Sequence, residues 1–171
     1  MARMDPFFAW LEATPLSTWL RESPSIMVFP FILILHTVGL AFLVGANIAF
    51  DARVLGLARG VPLLSMRRYY RAMWAGFWVN AFSGALLLIA YPTKALTNPV
   101  FYMKLTLIAA ALMVGRSIRR YMLAGTVAAG ADAPQPLRVL AIVSLVCWLV
   151  GITAGRFLAY TCSRLTVDQT C

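Results

Sequence analysis

Residues 26–50 read IMVFPFILILHTVGLAFLVGANIAF, a stretch with no Asp, Glu, Lys or Arg. A hydrocarbon core of roughly 30 Å takes about 20 consecutive apolar residues of helix, so this stretch is long enough to cross with some tilt. Pro30 falls in its first turns, where a missing amide is tolerated. Asp51 and Arg53 follow directly and are expected to end the span. Three further apolar stretches lie at about 72–91, 100–120 and 137–160. The expected fold class is therefore all-α: an integral membrane four-helix bundle.

Composition points the same way. The chain is 61% apolar and 12% charged, with a mean hydropathy of +0.80, whereas soluble domains carry about a quarter charged residues. Its 171 residues suffice for one domain, and no long internal repeat is evident. No basic segment followed by a short apolar core and a small-residue cleavage site opens the chain, so no cleaved signal peptide is expected. Residues 4–22 instead form an N-terminal interfacial amphipathic segment. Asp5-Pro6 suits a helix start, Phe7, Trp10 and Leu11 follow with helical spacing, and Pro15 interrupts before Leu16, Trp19 and Leu20.

A formal charge of +9 would suggest nucleic acid in a soluble protein, but the positions of the basic residues argue otherwise. Arg53, Arg59, Arg67, Arg68 and Arg71 gather in one connection, and Arg116, Arg119, Arg120 and Arg138 surround another. With four spans these connections share one side, as cytoplasmic loops rich in Lys and Arg do. The sequence therefore implies a bacterial inner membrane, both termini in the periplasm, a periplasmic tail at 161–171 and no nucleic-acid partner.

Trp19, Arg21 and Pro30, then Leu35-His36-Thr37-Val38-Gly39-Leu40-Ala41 with Gly45, and Asp51-Ala52-Arg53-Val54-Leu55-Gly56 carry a likeness. They resemble a family of small bacterial four-helix inner-membrane proteins with L-H-x-x-G-x-A-x-x-x-G and D-x-R-x-L-G motifs. Asn98-Pro99-Val100-Phe101-Tyr102-Met103-Lys104 resembles that family's start of the third helix. More distantly the layout resembles the copper-resistance CopD group, although this chain lacks a rich set of His and Met ligands. The resemblance implies the four-span fold and no particular activity.

His36 is the sole histidine, about ten residues into the first span. Ionisable groups at such depth are costly facing lipid and usually turn into the bundle. Eleven residues on, Asn47 falls on nearly the same helical azimuth, so His36, Leu40, Leu43 and Asn47 share a face. Lys104 and Arg156 each fall about five residues from the periplasmic ends of their spans. With His36 they outline a cationic pocket suited to an anionic headgroup, a haem propionate or a quinone oxygen; alternatively both cations snorkel to lipid phosphate. Asn80 and Ser83 either line the same interior or bond between helices. Asp51 and Arg53 read as a charge motif at the cytoplasmic end. Gly151 with Gly155, and Ala41, Gly45 and Ala49, permit close helix approach.

Cys147 reads as a small buried hydrophobe, whereas Cys162 and Cys171 in the tail are candidates for a disulfide. Several chemistries fail on residue types. A bis-His haem needs two histidines, a His-based hydrolytic triad would have only His36, and neither zinc spacing nor a nucleotide loop is present. A non-enzymatic protein follows. It would hold a lipid, quinone, haem or copper ion near His36, the one candidate metal ligand, with His36, Asn47, Asn80, Lys104 and Arg156 as ligand-binding residues. The rival readings are a small transporter or channel, and a structural anchor partnered by lipids, other membrane subunits or a second copy of itself.

Overall fold

The computed structural model describes residues 5–23, 25, 27–57, 60, 66–123 and 133–160. Among these there are seven helices: α1 (Asp5–Glu12), α2 (Pro15–Glu22), α3 (Val28–Val54), α4 (Met66–Ala90), α5 (Pro92–Leu96), α6 (Pro99–Leu123) and α7 (Gln135–Tyr160). Four of them contain stretches long and apolar enough to cross a membrane: Val28–Val54, Tyr69–Ala90, Pro99–Tyr121 and Gln135–Leu158. The fold is an all-α bundle of four long apolar helices, and the chain is a multi-pass membrane protein. Arg59, the start of the helix expected at Pro62, most of the loop before α7, and Cys162 and Cys171 lie outside the described residues.

Local chemistry explains where the helices stop. α3 continues past Phe50, so Asp51 and Arg53 lie inside its last turn rather than ending it. The stop comes at Gly56, whose φ of 86° is accessible without a Cβ penalty. There the Gly56 amide reaches the Arg53 carbonyl at 3.2 Å and the Leu57 amide reaches the Ala52 carbonyl at 2.9 Å, the paired bonds of a Schellman cap. Asn98 begins α6: its Oδ1 accepts from the Val100 amide at 2.9 Å, and Pro99 fills a first-turn position that needs no donor.

α3 packs along α4, α6 along α7, and α3 also lies against α7 and, less extensively, α6. Three apolar clusters stack along the bundle. Leu20, Ile32 and Ala90 occupy one end; Leu43, Val44, Ala46, Met73, Ala111 and Trp148 fill the middle; Val54, Ile118, Leu137 and Ala141 close the other end. Many large apolar side chains face outward instead, among them Phe82 at 67% and Leu149 at 68% exposure. Lipid is the solvent that suits such an exterior.

The α3–α4 contact depends on two glycines. A Cβ on Gly76 would lie 2.7 Å from the Gly39 carbonyl and from the Leu43 amide, and a Cβ on Gly39 would lie 2.7 Å from the Asn80 amide. Backbone therefore touches backbone at this crossing. The approach expected at Ala41, Gly45 and Ala49 does not form within the bundle, because Ala41 and Gly45 are exposed and Gly45 faces open space. Gly151 and Gly155 do meet a neighbour, α6, through Leu107 and Lys104.

The N-terminal segment is docked onto the bundle. Ser17, fully buried, donates from its Oγ to the Ile89 carbonyl at 2.9 Å. Glu12 accepts from the Thr93 amide at 3.3 Å, and Arg21 donates to the Glu12 carbonyl at 2.7 Å. α1 and α2 thus lock onto the end of α4 and onto α5. Phe7, Trp10 and Trp19 stay exposed, as aromatic residues at a membrane interface do.

Candidate functional site: a polar layer and a basic cleft

The glycine crossing sets His36 against α4. Its Nδ1 lies 3.1 Å from the Asn80 carbonyl oxygen and 3.1 Å from Ser83 Oγ. A carbonyl only accepts, so Nδ1 carries the proton and donates, and Nε2 keeps the lone pair. The Asn80 side chain donates back to the His36 carbonyl at 2.8 Å, while Ser83 Oγ donates to the Val79 carbonyl at 2.7 Å. The ring fits because residue 84 is glycine: a Cβ there would sit 3.2 Å from His36 Cε1.

Lys104 belongs to the same level. It is the charged group that acts on His36 electrostatically, and its side chain crosses α7 at Gly155, with Nζ 3.6 Å from where a Cβ would be. Arg156, the next residue on α7, is exposed on the outer surface. The cationic layer read from the sequence thus keeps His36 and Lys104 and leaves Arg156 outside, because a rotation of about 100° per residue turns neighbours to different faces.

Among the described residues no group of three His, Cys, Asp or Glu that could hold a metal ion occurs, so a haem or copper ion at this layer would rest on the Nε2 of His36 alone, the Cε1–Nδ1 edge of the ring being the one that faces Gly84.

Asn47 is buried, as expected, but is separated from His36 by Leu40 and Leu43; Leu43 is only 1% exposed and sits within the central apolar cluster. Among the described residues the polar face of α3 therefore does not form a continuous polar path. Asn47 donates from Nδ2 to the Leu43 carbonyl at 2.8 Å, and its Oδ1 lies 2.7 Å from where a Cβ on Gly115 would be. Asp51 and Arg53 are also buried. Asp51 turns toward Ser144 of α7, and its Oδ2 is buried with no hydrogen-bond partner.

Asn47 belongs to a cleft of about 120 Å³ bounded by α3, α4 and α6 and lined by Tyr70, Trp74, Leu112, Met113, Arg116 and Arg119, among others. On α4 the rings of Tyr70 and Trp74 meet edge to face at 6.1 Å. From α6 the Arg119 guanidinium carbon lies 3.5 Å from the centroid of the Tyr70 ring, a cation–π stack. From the sequence, Arg116 and Arg119 read only as charge around a loop. Their spacing of three, with Leu112 on the same helical face, was the available sign that both border the cleft, Arg119 half-buried and Arg116 exposed at its edge.

No family model, curated protein or solved structure matches the chain.

Proposed function

We propose that the chain is a non-enzymatic protein of the bacterial inner membrane that binds a membrane-dissolved ligand between its spans. The observation that carries this is the cleft between α3, α4 and α6, walled by spans, with aromatic and aliphatic side chains along most of its lining and arginines at one end. A ligand reaching such a site arrives through the bilayer, so a lipid or quinone suits it better than a water-soluble metabolite. His36 and Lys104 form a second, more tightly packed polar level, which serves to hold α3, α4, α6 and α7 in register.

Charge supports the orientation. Arg53, Arg71, Arg116, Arg119, Arg120 and Arg138 belong to the end where α3 and α6 finish and α4 and α7 begin. Lys and Arg resist translocation, so this end lies in the cytoplasm and both termini lie in the periplasm. Reporter fusions at Gly60 and Asp132 should be active only with a cytoplasmic reporter; periplasmic activity at either would reverse the orientation.

Organic extraction of the protein purified in mild detergent, followed by mass analysis, tests the ligand. About one amphiphile per chain should be recovered. Met113→Trp fills the cleft from its exposed side and should lose the ligand while the protein still inserts. Equal recovery from both proteins, or none from the wild type, would sink the proposal.

A further inference from the structure

Given a lipid-class ligand in the cleft, on which reading the following rests, its basic end specifies the headgroup. The Arg119 stack on Tyr70 engages the flat face of the guanidinium and leaves its N–H edge to other partners. Two of its nitrogens, Nε and Nη1, are buried and have no hydrogen-bond partner. A buried donor without an acceptor is costly, so an acceptor from outside the chain fits here. Arg116 adds a second cation to the lining, and none of the lining residues is acidic. Asp51, the carboxylate of α3, turns toward Ser144 of α7, and neither residue is part of the lining.

Depth decides what kind of anion. Arg119 lies two residues before the end of the span Pro99–Tyr121, the depth of lipid phosphates, while Trp74 and Leu112 lie deeper and offer a wall for hydrocarbon. An arginine fork matches two oxygens of a phosphate. A zwitterionic lipid would bring an ammonium group toward two guanidiniums with no carboxylate to receive it. We propose that the cleft is a binding site for an anionic phospholipid, its phosphodiester held by Arg119 and Arg116 and one acyl chain laid along Trp74 and Leu112.

Native mass spectrometry of the full chain, titrated with phosphatidylglycerol or phosphatidylcholine, tests this. The wild type should bind phosphatidylglycerol about tenfold more tightly, the scale of one charge-assisted contact. Arg119→Gln should bind both lipids equally and should lose the rise in thermal midpoint that phosphatidylglycerol gives the wild type. Arg119→Lys should not restore the preference, because an ammonium lacks the fork. Arg156→Gln, at the opposite end and exposed, should leave it intact. Inorganic phosphate that raises the midpoint where phosphatidylglycerol does not would mean a free-anion site and overturn the lipid assignment. Equal binding of both lipids by the wild type, with Met113→Trp still emptying the cleft, would overturn the headgroup assignment alone. Retention of lipid by Met113→Trp would remove the cleft itself.

Discussion

At the scale of single residues, glycines report how closely the helices approach. The ideal Cβ at Gly76 meets backbone atoms at 2.7 Å, that at Gly155 meets the flexible Lys104 chain at 3.4 Å, and that at Gly45 meets nothing within 4 Å. Backbone cannot yield as a lysine stem can, so the three sites should respond differently to the same added methyl. Gly76→Ala should cost about 1–3 kcal/mol by overpacking. Gly155→Ala should change little. Gly45→Ala should gain up to about 1 kcal/mol from helix propensity. Thermal unfolding of the three variants in detergent checks the order, and equal effects at Gly76 and Gly45 would contradict the crossing. Asp51 raises a different issue, since its Oδ2 is buried without a hydrogen-bond partner and the only ion pair found among the described residues joins Arg21 to Glu12 at 3.9 Å. A stripped carboxylate is costly where an amide of the same shape is not. Asp51→Asn should therefore unfold at the same temperature as the wild type or higher; a clear drop would show that the charge itself is needed.

At the scale of elements, α2 is the piece whose docking can be separated from the rest. Its interior side is Ser17 and Leu20, both nearly inaccessible, and Arg21 ties it to Glu12 at the end of α1. Leu20→Ala removes a core side chain and should weaken docking by about 2–5 kcal/mol, while Ser17→Ala should cost about 1 kcal/mol through the lost bond to the Ile89 carbonyl. Limited proteolysis near the Ala13–Thr14 turn reads both. Leu20→Ala should be cut faster than the wild type while the four spans stay intact; unchanged cutting would mean that Glu12 and Arg21 hold the segment without Leu20.

At the scale of the molecule, two close helix pairs, α3 with α4 and α6 with α7, join chiefly through α3. Among the described residues α4 and α6 come together at most loosely, and the cleft opens where they diverge. The cleft is thus a consequence of the packing order rather than of any loop. A bulky residue at Met113, exposed at 64%, should therefore reach the ligand without disturbing the central cluster. A fall in the unfolding temperature of Met113→Trp as large as that of Gly76→Ala would mean that Met113 supports the bundle.

The sequence alone determined the number and approximate extent of the spans, the gathering of arginines at one end and the start of α6 at Asn98-Pro99, although the charges at Asp51 and Arg53 pointed to an end of α3 earlier than Gly56. These depend on apolar run length, charge and local backbone chemistry, which are properties of neighbouring residues. It did not determine which face of each span turns inward. Apolar residues run all the way round α3 and α7, and lipid is as apolar as the bundle interior, so hydrophobicity does not separate the two faces. Tertiary contact made that choice. Gly39 and Gly76 formed the crossing while Gly45 faced outward, Lys104 joined His36 while Arg156 stayed outside, and Arg119 folded onto Tyr70 beside the cleft. Close packing, hydrogen-bond satisfaction and cation–π stacking discriminate where hydrophobicity cannot, and all three act between residues far apart in the chain.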